Sequence, residues 1–127
     1  MQITRQADYA VRAVEYLAKQ APNQRFATST VAEETKIPLS FLAKIISQLS
    51  IAGLIKTIRG AHGGITLARD PRDISLLDVV EAIDGPILIN EASGDSEYSL
   101  NDESLDHIIW LEVQDAMVKR LRDTKFK

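Results

Sequence analysis

Apolar residues recur at helical spacing from Thr4 to Gln20. Ala10, Val11, Ala13, Val14, Leu17 and Ala18 share one stripe, while Arg5, Arg12, Glu15 and Lys19 fall mostly off it. Thr4 is placed to cap this helix and Pro22 lies just beyond its end. After the polar stretch Pro22–Arg25, a short helix is predicted from about Ser29 to Thr35, with Thr28 or Ser29 as cap and Thr30 and Glu33 at capping-box spacing. Pro38 biases Ile37 away from helical dihedrals and separates this helix from a second one, Leu39 to Ala52, which stops at Gly53. Two helices joined by a tight turn form a helix-turn-helix.

The period then changes. Leu54–Arg59 is rich in β-branched and apolar residues, Gly60–Gly64 is a turn cluster, and Ile65–Ala68 is a second short strand. Strand, glycine-rich turn and strand directly after a helix-turn-helix predict a winged helix, mainly α with a small β wing. Ser75 and Asp78 frame a capping box for a helix carrying Leu76, Leu77, Val79, Val80 and Ile83, which ends at Gly85–Pro86. Residues 87–89 are briefly apolar, and residues 90–104 are acidic, polar and without period, the pattern of an exposed loop. The last helix is expected from about Glu103 to Asp123. Leu105, Ile109, Val113, Ala116 or Met117, and Leu121 are spaced along one side, with Ile108 and Trp110 widening the stripe. Such a helix spans roughly 30 Å, too long for so small a domain to cover. Its stripe, and Trp110 with it, is therefore expected to pack in the core or between two copies. The boundaries are 1–86 for the winged helix, 87–104 for the loop and 105–127 for a dimerisation helix.

A chain of 127 residues, 45% hydrophobic and 26% charged, suits one such domain. The net charge of −3 argues at first against a nucleic-acid partner. It is unevenly placed: residues 1–72 carry ten Lys and Arg against five Asp and Glu, whereas residues 73–127 carry five against thirteen. The basic half is where a polyanion would be met. There are no cysteines, hence no disulfide and no thiolate metal site. No apolar run is long enough to span a membrane and no leader pattern opens the chain, so a cytoplasmic protein is expected.

With Leu42, Ile45, Ile46 and Leu49 facing inward, the second helix of the helix-turn-helix turns Ser40, Ala43, Lys44 and Ser47 outward, with Gln48 beside them. Small polar side chains around one Lys suit close approach to a major groove, with Ser40 and Lys44 the expected base contacts. Thr28, at the start of the preceding helix, joins the candidate DNA-binding set. Arg5, Lys36, Lys44 and Lys56 are the expected phosphate contacts. In the turn, Arg59 and His62 flank Gly60 and Gly63, which allow backbone approach to a phosphate or entry of Arg59 into a minor groove. On the residues alone, each of these features is also compatible with a solvated helix face and an ordinary hairpin.

The segments Asp8–Ala13, Lys44–Leu54, Ile58–Ala68 (with its Arg-Gly-x-x-Gly-Gly turn) and Asp78–Pro86 resemble, in order and over nearly the whole chain, the IscR/NsrR-type winged-helix regulators. That resemblance implies a homodimeric bacterial transcription factor whose long C-terminal helices cross and whose winged helices read a pseudo-palindromic operator in double-stranded DNA. It further implies a loop with three cysteines holding an iron–sulfur cluster. Here the corresponding slots hold Ala92, Tyr98 or Ser99, and Ser104, so the cluster has no ordinary anchor. Either the chain is a natural relative without the cluster, or Cys has been changed to Ala or Ser. By the same resemblance Asp8 and His107 match positions of non-cysteine ligands. As surface residues, Asp8 also suits the first turn of a helix and His107 the start of the last one.

The acids from Glu91 to Asp106 lack the alternating ligands and closing Glu of a calcium loop. With no Cys, no paired catalytic carboxylates, no phosphate loop and no evident catalytic partners for the two His, the sequence does not support an enzyme. The reading is a sequence-specific DNA-binding regulator, with repression the expected mode, no cofactor in this chain and no membrane partner. The alternative is a winged helix that binds a protein or small effector and DNA only weakly.

Overall fold

A computed structural model describes residues 2–88 and 105–127. The expected loop, with Ala92, Tyr98, Ser99 and Ser104, lies outside the described residues. Helix α1, Arg5–Ala18, starts where Thr4 accepts a hydrogen bond from the Ala7 amide, as its sequence predicts. Its stripe, widened by Ala7, is buried at the centre of the domain except for the half-buried Val11. Helix α2, Thr28–Thr35, has Ala27 as its N-cap and no side-chain cap, so the capping box expected from Thr30 and Glu33 does not form. Thr28 is already helical. The entry of the chain is set instead by Phe26, which exchanges backbone hydrogen bonds of 3.0 and 2.7 Å with Ile65. A tertiary pairing, invisible in the local pattern, decides the helix start.

At Lys36 the backbone turns left-handed (φ 58°), and Pro38 opens helix α3, Leu39–Ile51. Two hydrogen bonds close α3 as a Schellman motif, Gly53 N–H to Ser50 O at 3.0 Å and Leu54 N–H to Leu49 O at 2.9 Å. Leu42, Ile45, Ile46 and Leu49 are buried with Val14, Leu17 and Val31 of the first two helices. Strands β1, Ile55–Ile58, and β2, Gly64–Leu67, pair antiparallel with Lys56 opposite Thr66 and Ile58 opposite Gly64.

A 3-10 turn at Pro71–Asp73, not expected from the pattern, is capped by Asp70. Helix α4, Leu76–Asp84, carries the expected capping box between Ser75 and Asp78. Asp84 at its end accepts from the Thr4 amide and hydroxyl, at 3.2 and 2.5 Å, tying α4 to the start of α1. Helix α5, Leu105–Asp123, has no buried residue in the single chain. Met117 and Leu121 pack, with Val118, against Leu77, Val80 and Ile87, so these two expected interface positions also serve a small core within the chain. Leu105, Ile109 and Val113 are exposed, and Trp110 at 44% exposure is not a core residue. After α5 the chain returns: Thr124 O accepts from Leu76 N–H at 2.8 Å, and Phe126 packs on the main core. Among the described residues no helix is long and apolar enough to cross a membrane.

Candidate nucleic-acid interface

The inward burial of α3 leaves Ser40, Ala43, Lys44 and Ser47 exposed along one stripe, with Gln48 half-buried at its edge. Ile51 continues that stripe and is 86% exposed. Thr28 of α2, Ala43 and Ser47 of α3 and Thr57 of β1 line one shallow notch together with Ile51. Three residues expected separately from the sequence are thus brought to one surface, and Thr57 and Ile51 are added to it. Alternation along β1 identifies Thr57 afterwards. An apolar residue at the end of a helix carries no such signal.

The helix-turn-helix angle is set by contacts from α1. Tyr9 meets Phe41 of α3 with ring centroids 6.2 Å apart, and the Arg12 guanidinium sits 4.9 Å above the Tyr9 ring. Arg12 also donates to the Thr35 carbonyl at the end of α2, at 3.2 Å. Arg12 thereby ties α1 to α2, and Tyr9 ties α1 to α3, beside the turn in which Lys36 is exposed. Arg5 is exposed one turn before Tyr9, at the edge of the same region.

The turn Arg59–Gly63 is closed by a hydrogen bond from Gly63 N–H to Gly60 O at 3.0 Å. Arg59, Gly60 and His62 are exposed and Gly63 half-buried. A Cβ on Gly63 would collide with the Ile58 carbonyl oxygen, and one on Gly64 (φ +142°) would lie 2.6 Å from the Phe26 carbonyl oxygen. Only glycine lets the hairpin lie this close to its neighbours. Arg25 donates to the His62 carbonyl at 3.2 Å and holds the tip from the α1–α2 loop. Sequence reasoning missed Arg25, since nothing local marks a partner 37 positions away.

Lys56 lies on the other face of the hairpin. It shares a hairpin face with Thr66 and lines a cleft towards the end of α1, whereas Thr57 faces α3. The pleat separates it from the α3 stripe.

Of the residues implied as cluster ligands, Asp8 is exposed and pairs with Arg12 at 3.5 Å. His107 is half-exposed in the first turn of α5. Among the described residues no three His, Cys, Asp or Glu gather as metal ligands, and the whole sequence holds no Cys. Iron–sulfur clusters are held by thiolates. The donor set of this chain does not fit one.

A helix-turn-helix with an exposed small-polar stripe, followed by a hairpin braced against it, defines the winged-helix class. The profile of the Rrf2 family, described as an iron-dependent transcriptional regulator, matches residues 3–127. The chain belongs to the Rrf2 family. It is 28% identical to the HTH-type transcriptional regulator CymR of Bacillus subtilis, over 98% of this chain and 86% of that protein. It is 38% identical to the HTH-type transcriptional regulator NsrR of Shouchella clausii, over 64% of this chain and 54% of that one. The solved structure of B. subtilis CymR, the global cysteine regulator of that organism, superposes with a TM-score of 0.83 at 26% identity, covering 99% of this chain and 93% of that chain. T. potens IscR superposes with a TM-score of 0.79 at 25% identity, covering 99% and 83%.

Proposed function

We propose that this protein is a DNA-binding transcriptional regulator that works in the cytoplasm as a homodimer, reads a pseudo-palindromic operator and represses the promoter it covers. The observation that carries this reading is the exposed α3 stripe of Ser40, Ala43, Lys44 and Ser47, which shares a notch with Thr28 and with Thr57 of the hairpin. Helix α3 enters the major groove, where Ser40, Lys44 and Gln48 reach base edges and Ala43 permits close approach. Arg5 and Lys36 flank it on phosphates. Arg59 enters the neighbouring minor groove, while Gly60, His62 and Gly63 offer backbone to the sugar-phosphate chain.

Support for the dimer comes from α5, whose Leu105, Ile109, Trp110 and Val113 are exposed in the single chain. A row of this size calls for a partner surface, and a second α5 supplies it under two-fold symmetry. The division of charge fits the arrangement, with the basic half on DNA and the acidic half away from it. Sensing proceeds without an iron–sulfur cluster, since the chain has no thiolate to hold one.

Selection of bound fragments from randomised duplex DNA tests the reading. The expected result is enrichment of inverted half-sites about 34–36 Å apart, or a multiple of that spacing. Retention of fragments without any shared sequence would sink it and favour a winged helix that serves protein or effector binding.

A further inference from the structure

On the side of the hairpin away from the α3 stripe lies a cleft of about 510 Å³ between the end of α1, the root of β2 and the Pro71–Asp73 turn. Small-molecule sites occupy roughly 300–1,000 Å³, so the space is of ligand size. One wall is apolar, made by Leu17, Ala18, Leu67 and Pro71. The rim is cationic: Lys56, Arg69 and Arg72 line it beside Asp70. Asp70 is already taken by Arg72 at 2.8 Å, and Arg69 makes only a 3.9 Å approach to Asp78. Lys56 has no ion pair among the described residues. The rim therefore keeps an unbalanced positive charge.

Thr66 is the second, independent observation. It is only 7% exposed and lines the cleft; since no buried polar side-chain atom among the described residues lacks a partner, its hydroxyl is open to the cleft. Because Lys56 and Thr66 are directly opposed across the hairpin, their side chains share one face. An ammonium and an accessible hydroxyl thus stand together above an apolar wall.

We propose that this cleft binds a small organic acid. Its carboxylate meets Lys56 and the Thr66 hydroxyl with Arg69 nearby, and its short carbon body lies on Leu17, Ala18, Leu67 and Pro71. Both strands of the hairpin contribute to the site, so the occupant braces the same element that presents Arg59. That consequence rests on the DNA-binding reading; the binding itself does not.

Calorimetric titration of the full chain with acetate, butyrate and hexanoate, and with inorganic phosphate at matched ionic strength, tests the site without DNA. Affinity is expected to rise with chain length, by up to about fourfold for each methylene buried, with phosphate weaker than hexanoate. Thr66→Val, nearly isosteric, and Lys56→Gln at an exposed position should each weaken hexanoate about five- to tenfold. Unfolding midpoints without ligand verify that both variants fold. Should a variant fail to fold, amide hydrogen exchange on the unaltered chain replaces it, with hexanoate expected to protect Ile65–Leu67. The proposal is overturned if no acid binds at millimolar concentration, if phosphate binds as tightly as hexanoate, or if neither variant changes affinity and the hairpin amides gain no protection. Since DNA is absent, loss of operator selection and loss of this site are separate results.

Discussion

Arg59 and the glycines beside it divide the work of the wing at the level of single residues. Arg59 has no ion-pair partner among the described residues and projects from a turn whose path is set by Gly60, Gly63 and Arg25. Arg59→Ala should weaken operator binding and lower the salt slope of log K by about one, because one phosphate-region cation is lost. A salt titration returning the parental slope would remove Arg59 from the interface. Gly64→Ala acts differently. The added methyl meets the Phe26 backbone, which is held by two hydrogen bonds and has little room to retreat. A loss of about 1–3 kcal/mol in urea unfolding is expected, the scale of a strained backbone position. An unchanged midpoint would show that the Phe26–Ile65 pairing yields. The glycine cluster was legible in the sequence as a turn, but the collision that makes Gly64 obligatory comes from a residue 38 positions earlier.

At the scale of elements, local chemistry decided some ends and tertiary pairing others. The α4 start was readable because Ser75 and Asp78 satisfy each other's backbone amides within one turn. Ser75→Ala should cost about 1 kcal/mol, within the usual 0.5–2 kcal/mol for an N-cap; thermal unfolding of the variant checks it. The α2 start was misread, since Thr30 and Glu33 have capping spacing while the Phe26 bridge fixes the entry at Ala27. The 3-10 turn offers a pH test. Hydrogen bonds from the Arg72 side chain, and then its backbone amide, hold the Asp70 carboxyl at about 2 against an ordinary 3.8. A depressed carboxyl contributes stability above its unfolded value and loses it as pH falls through the folded one. Its contribution to stability is therefore complete above about pH 4 and lost progressively between about pH 4 and 2, while the clamp itself opens only near the lower value. Carboxyl carbon shifts followed by NMR should titrate near the lower end for Asp70. A midpoint near 4 would show that Arg72 does not hold it.

For the whole molecule, α5 is the element whose face lacks a partner within the described chain. Leu105 is 73% exposed and Ile109 43%, a distribution that leaves the first half of the helix in water while the second half packs on α4. Ile109→Asp should convert a dimer to monomers by sedimentation velocity with the winged helix still folded. Its operator affinity should fall at least tenfold, because two half-sites are then no longer bound as one. A variant that sediments as the parent does would place the dimer seam elsewhere.

Much of this protein was determined by its sequence alone. Helical period, the Ser75 box, the proline between α2 and α3 and the glycine-rich turn are local signals, acting over a few residues, and they sufficed for a winged helix and for the outward stripe of α3. Tertiary structure decided what depends on distant chain segments meeting. Phe26 pairs with Ile65, Arg25 reaches His62, Thr28 joins the α3 stripe, and the pleat turns Lys56 away from it into a cleft with Thr66. None of these pairings leaves a periodic trace, because each is set by packing between elements and not by the spacing of residues along one.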